Sequence, residues 1–173
     1  MRIAISGKSG CGNTTVTRLV SQALGYEMIN VTFRTLAEEQ GMDFWQLCHL
    51  AESDDSYDLE VDRRQVELAL SHQDCVLGSR LAIWMLKEAD LKVYLDASIE
   101  ERARRIAKRE GGSLEERMEE TRARDRRDSD RYRRLYDIDN SDTSAVDLLI
   151  DTTLLSAEEV AGLIIEEVRR REA

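Results

Sequence analysis

The chain has 173 residues, a net charge of −10 and no proline; that length suits one domain whose core needs no disulfide or metal staple. Its three cysteines, Cys11, Cys48 and Cys75, are odd in number and lack metal-ligand spacing, which points to a reduced, cytoplasmic setting. The acidic balance argues against nucleic acid as a partner, and no apolar run approaches a membrane span or a secretory signal.

Apolar runs of strand length occur at 2–6 (RIAIS), 26–31 (YEMINV), 74–78 (DCVLG), 92–97 (KVYLDA) and 145–152 (AVDLLIDT). They are mostly apolar on both faces, as buried parallel strands are. Helical patterns fall at 13–24, 33–40, 43–52, 58–72, 81–89, 98–110, 114–135 and 156–171. Ser98 and Ser156, each with Glu three residues on, predict capping boxes. Gly25 and Gly41 predict helix C-caps. Trp45 and Trp84 lie among apolar residues at helical spacing and predict core packing, whereas His49 and His72 predict surface or half-buried positions. The alternation predicts an α/β fold, a five-stranded parallel sheet flanked by helices with right-handed crossovers. The core takes 1–31, 74–97 and 145–173. Residues 32–73 insert polar helices beyond a minimal crossover and read as a small flap. Ligands in such sheets lie beyond the carboxyl ends of the strands, so the ends of the first, third and fourth strands, SGKSG, GSRL and LDAS, are the places to look.

The stretch GKSGCGNTT, residues 7–15, joins the first strand to the first helix. Gly7, Gly12 and Thr14 match the spacing of a phosphate-binding loop, with Asn13 where a lysine is usual. The glycines let backbone N–H groups turn inward, and the helix start aims its positive end at the same point. Gly7, Lys8, Gly10, Cys11, Gly12, Asn13, Thr14 and Thr15 are therefore expected around the phosphates, Cys11 through its backbone only. Thr14 is expected to offer a hydroxyl to Mg²⁺. Lys8, or arginines from elsewhere, would supply the charge Asn13 lacks. Residues 98–136 hold 13 Lys/Arg and 10 Asp/Glu, net positive on an acidic chain. That balance suits either a compact anionic ligand or a helix laced with its own ion pairs.

On RIAISGKSGCGNTT, FRTLAEEQGM, VDRRQVELAL, GSRLAIWML, ADLKVYLDASIEERARRIAKRE, ARDRRDSDRY and LLIDTT, the chain resembles the short, archaeal-type cytidylate kinases of the P-loop nucleoside monophosphate kinase group. The likeness runs over nearly the whole length. It implies a P-loop kinase three-layer fold with a nucleotide-binding flap at 32–73 and an arginine-rich lid and basic helix at 98–136. It also implies transfer of the ATP γ-phosphate to CMP or dCMP, with Mg²⁺, by a monomer. Members of that family often lack the loop lysine.

The resemblance assigns Arg34 and Arg80 to the acceptor's phosphate, a task for which a planar guanidinium fork is suited. Arg105 and Arg109 match lid arginines that pack on adenine or reach the ATP phosphates. Arg124 and Arg131 match residues on the nucleotide phosphates, and Asp128 matches the carboxylate that accepts from the ribose hydroxyls. Asp62 and Arg63, with Arg64, lie on the flap helix and are expected near the acceptor. Lys8, Arg105, Arg109 and Arg131 are expected to stabilise the phosphoryl group in transfer. Gly78 and Ser79 depart from the family's Glu-Gly, which leaves Thr14, waters and Asp96 to complete the metal shell. A kinase for another acceptor (AMP, UMP or a non-nucleotide) and a nucleotide sensor without turnover are the rival readings.

Overall fold

The computed structural model describes residues 1–173. In chain order the elements are β1 (Arg2–Gly7), α1 (Asn13–Leu24), β2 (Glu27–Ile29), α2 (Phe33–Gln40), α3 (Phe44–Ala51), α4 (Ser56–Ser71), β3 (Cys75–Gly78), α5 (Ala82–Met85), β4 (Leu91–Asp96), α6 (Ile99–Glu110), α7 (Leu114–Tyr136), β5 (Leu148–Asp151) and α8 (Ala157–Glu172).

The five strands form one sheet in the order β2-β3-β1-β4-β5, every pairing parallel. The period-two alternation of a strand sends Ile3 and Ile5 to one face and Ala4 to the other. On the first face they join Val93, Leu95 and Ile150 beneath Val16 and Val20 of α1 and Val160, Ile164 and Val168 of α8. On the second, Ala4, Leu77 and Tyr94 pack against Ala69, Ala82, Ile83 and Leu86. Each buried Val, Leu or Ile among these contributes roughly 1.5–3 kcal/mol. A third, small cluster of Leu36, Ala37, Leu47 and Val61 holds α2, α3 and α4 together apart from the sheet.

Helix ends follow their capping residues closely. Ser156 and Glu159 form the reciprocal box the sequence predicts, and so do Ser113 and Glu116. Gly25 and Gly41 adopt the left-handed conformation at their helix ends. Ser98 makes only half its expected box: its side chain accepts from Glu101 N at 3.2 Å, but the Glu101 carboxylate is taken by Arg104 and Arg105. The helix predicted over 81–89 is a single turn, Ala82–Met85. Its backbone is pinned instead to the sheet, where Ile83 N donates to the buried Ser6 hydroxyl at 3.1 Å. Trp45 corrects the expectation of core packing, being 75% exposed. α3 buries Leu47 rather than Trp45, whose ring meets Phe44 edge-on at 5.1 Å between centroids. Trp84 is half-buried and meets Tyr94 edge-on.

Candidate functional site

The carboxyl ends of β1, β3 and β4 lie at one edge of the sheet, where Ile5 is level with Gly78 and Gly7 with Leu95. The loop from Gly7 to Asn13 turns there through Gly10 and Gly12, at φ 85° and 96°, a conformation that side chains with a Cβ resist. Cys11 N donates to Lys8 O at 3.1 Å and closes the turn. The last residue of the loop closes it again: Asn13 Nδ2 donates to Gly7 O at 3.0 Å. The residue at the usual lysine position therefore serves as a latch inside the loop.

The start of α1 is left open for an anion. The helices α6, α7 and α8 each carry a Ser cap and two Glu in the first turn, whereas α1 has no side-chain cap and no acid there. Its first N–H groups thus keep both their hydrogen-bonding capacity and the unneutralised positive end of the helix.

Above the loop lies a cavity of about 360 Å³ lined by Gly7, Lys8, Ser9, Gly10, Gly12, Asn13, Thr14, Thr15, Gly78, Ser79, Arg80, Arg105 and Arg109, with no carboxylate in its wall. Gly78 is required by packing: a Cβ there would overlap the Thr17 side chain. An acid at the end of β3 is thus excluded by Thr17, a buried α1 residue whose hydroxyl has no partner. Asp96, at the end of β4, accepts from Ala97 N at 2.9 Å and stands outside the wall of this cavity.

A second cavity, of about 480 Å³, continues from the loop between α6 and the segment after β5. Thr152, Thr153, Leu154 and Leu155 line it with Cys11, Thr15, Glu101 and Arg105. This fifth strand end, closing LLIDTT, thus bounds a cavity in addition to the three strand ends to which the sequence points. Arg105 forms the partition between the two cavities. It donates to Glu101 at 3.0 Å, to Thr152 Oγ1 at 3.0 Å, to Thr152 O at 2.5 Å and to Gly10 O at 3.4 Å. Arg109 instead reaches out to its neighbour Glu110 at 2.5 Å and is 64% exposed, free to swing. The Cys11 thiol beneath the loop is pushed up to about 11 by burial, which the nearby Arg102 opposes; it is inert packing.

The helix α7 runs past the other side of the loop. Arg124, Asp128 and Arg131 share one of its faces, four and three residues apart. Arg124 Nη1 lies 3.4 Å from Ser9 Oγ. Asp128 is ion-paired with Arg80, and Arg131 with Asp58 of α4. Burial lowers the Arg124 pKa and neighbouring Arg80 adds to the effect, while Asp128 opposes it. The basic stretch thus divides: Arg104 and Arg122 pair within their helices, while Arg102, Arg131 and Arg134 bridge elements and Arg117 pairs both with Glu120 on its own helix and with Glu110 of α6.

On the inserted helices, Arg34 is exposed and lies over the Phe44 ring at 4.4 Å. Asp62 accepts from the Tyr136 hydroxyl. Arg63 pairs with Glu60 and Glu67 on its own helix, and Arg64 with Glu39, so neither lines a cavity at the loop. The sequence reading also missed Arg102 and Asp125, which are paired beneath the loop at 2.8 Å. They sit one or three residues from residues it did name.

Residues 2–154 match a family described as the cytidylate kinase-like family. The chain is 43% identical over 175 residues to "Cytidylate kinase 2" of Borrelia garinii subsp. bavariensis, covering 99% of this chain and 98% of that one. It is 46% identical over 154 residues to the cytidylate kinase of Thermococcus sibiricus, covering 87% of this chain and 78% of the relative. Among solved structures, a shikimate kinase from Acinetobacter baumannii superposes with a TM-score of 0.64 at 17% identity over 98% and 93% of the two chains. That similarity carries the P-loop kinase fold alone.

Proposed function

Because the chain belongs to the cytidylate kinase-like family and is a CMP kinase, we propose how its residues divide between donor, acceptor and transfer. The observation that carries the assignment is the carboxylate-free cavity where Lys8, Arg80, Arg105 and Arg109 surround the loop and the open start of α1. A polyanion gains in such a place, because the backbone N–H groups of the loop and helix start are already aimed and the cations stand at its rim.

ATP is the donor. Its triphosphate lies over Gly7–Thr15, and its base enters the cavity after β5. There Arg105 has its N–H groups occupied by protein and offers its flat face for stacking. The donor set fits Mg²⁺ brought in on the nucleotide: Thr14 is exposed in the cavity wall, and no group of three acidic, His or Cys residues exists to cage a free ion. Thr14 would hold the ion, which when bound neutralises phosphate charge.

CMP or dCMP is the acceptor, bound between residues 32–73, acting as a flap, and the face of α7. Arg34, Arg80 and Arg131 grip its phosphate, Asp128 accepts from the ribose, Arg124 spans the two nucleotides, and Asp62 borders the acceptor. Arg63, held to Glu60 and Glu67, supports the flap helix. An acceptor phosphate oxygen bonds to the γ-phosphorus as the bond to the β–γ bridging oxygen breaks, and ADP leaves with that electron pair. No general base is needed, since the nucleophile is already anionic; positioning and neutralisation by Lys8, Arg109 and Arg131 supply the rate. Segment 98–136 acts as the lid, and all of these groups come from one chain, which suits a monomer.

A panel of nucleoside monophosphates with Mg-ATP tests the assignment. ADP release should depend on CMP or dCMP and exceed that with AMP or UMP. ATP binding with no ADP release stimulated by any monophosphate would establish the sensor reading instead.

A further inference from the structure

Arg102 opens no cavity and matches no motif arginine, yet it is the most deeply buried cation of the lid, its side chain 6% exposed. Its fork grips Asp125 with Nη1 at 3.1 Å and Nη2 at 2.8 Å, and Nη1 also reaches Ser9 O at 3.2 Å. Burial works against its charge and Asp125 more than compensates. Gly10 rests directly on it: a Cβ at Gly10 would come within 2.9 Å of Arg102 Cβ and O. Asp125 lies on α7 beside Arg124 and one turn before Asp128. One guanidinium thus touches the backbone of the donor loop and the helix that carries the acceptor side chains.

We propose that Arg102 and Asp125 are a positioning pair that fixes the phosphate loop at Ser9–Gly10 against α7, so that donor and acceptor phosphates meet at transfer distance. The inference rests on the division of donor and acceptor given above. Neither residue touches substrate. Arg suits the position because only a planar fork holds both carboxylate oxygens and still spares an N–H for Ser9 O. A lysine keeps the charge but, as a compact ammonium, lacks the planar fork that holds both carboxylate oxygens at once.

The pair acts on the distance between two bound nucleotides, so its loss spares each nucleotide alone and penalises their joining. Asp125→Asn should lower kcat by about 10- to 100-fold, the loss that a displacement of an ångström brings. The Kd values for Mg-ATP and for CMP, measured separately, should change by less than about threefold. A bisubstrate ligand, adenosine and cytidine joined through a polyphosphate, should bind at least about tenfold more weakly beyond any combined loss of the separate nucleotides. Arg102→Lys should give the same pattern, and it carries the test if Asp125→Asn does not fold. Parental kcat in either folded variant overturns the proposal. So does a bisubstrate loss no larger than the losses of the separate nucleotides, which would make the pair plain structural support. If the unmodified protein shows no CMP-dependent ADP release, the donor and acceptor assignment itself has failed, a result distinct from either.

Discussion

At the scale of single residues, the exchange of lysine for Asn13 separates two jobs that one side chain usually combines. Asn13 keeps the loop closed through Gly7 O, and charge must come from a flexible cation. Lys8 lies in the cavity wall on the same loop. Lys8→Ala is expected to lower kcat by about 10²–10³-fold, the value of one preorganised donor to a developing anion, while the loop still binds ATP. A parental rate would give the role to Arg109 and Arg131. The glycines and Thr14 were legible in the sequence because loop geometry restricts residue type at each point. Arg102 and Asp125 were not, because a charged helical residue carries no local sign of its partner. The same helices hold arginines paired i,i+4 and arginines paired across 23 or more residues, and only tertiary structure distinguishes them.

At the scale of elements, α4 and α7 are joined through three acids on one face of the flap helix and its start. Asp55 pairs with Arg134, Asp58 with Arg131, and Asp62 with the Tyr136 hydroxyl. Asp58 therefore occupies the Arg131 fork proposed for the acceptor's phosphate. Asp58→Asn should release Arg131 and lower the KM for CMP by about threefold or more, within the worth of an exposed to half-buried pair; a raised KM would show that Asp58 aids acceptor binding. Asp62 is different. Burial pushes its carboxyl up, Asp58 adds to this, and the Tyr136 hydroxyl and Arg131 oppose it. A folded pKa above the unfolded one means that the folded state holds the proton more tightly, so stability is lost as pH rises through the folded value. Asp62→Asn, which still accepts from Tyr136, should raise the thermal midpoint at pH 7 by about 2 °C or more, with the gain vanishing below about pH 4. An equal gain at both pH values would contradict this. Element positions were read well where caps marked them, as at Ser156 and Gly41. They were read poorly where tertiary bonds override local ones, as in the one-turn α5 and the half-made Ser98 box.

At the scale of the molecule, the parallel topology brings all the chemistry to one edge. β1 delivers the phosphate loop, β3 delivers Arg80, and β5 delivers Thr152–Leu155 to the second cavity, the place proposed for the donor's base. The fold class followed from the alternation of short apolar runs with amphipathic helices. The second cavity did not, since the segment after β5 that closes it, Thr152–Ala157, carries no local sign of the α6 side chains Glu101 and Arg105 that it faces. Trp45 escaped for a related reason: helical spacing identifies a stripe of apolar residues, and the packing of α2 and α4 decides which of them is covered. The central claim is that the loop side receives the donor and the α7 face the acceptor. Initial-rate kinetics of Arg131→Ala, with ATP and CMP varied independently, tests it most directly. Removing a charged phosphate contact worth roughly 1.5–3 kcal/mol, and leaving Asp58 unpaired beside the acceptor, should raise the KM for CMP by about tenfold or more and leave the KM for ATP within about twofold. A shift confined to the KM for ATP would contradict the account.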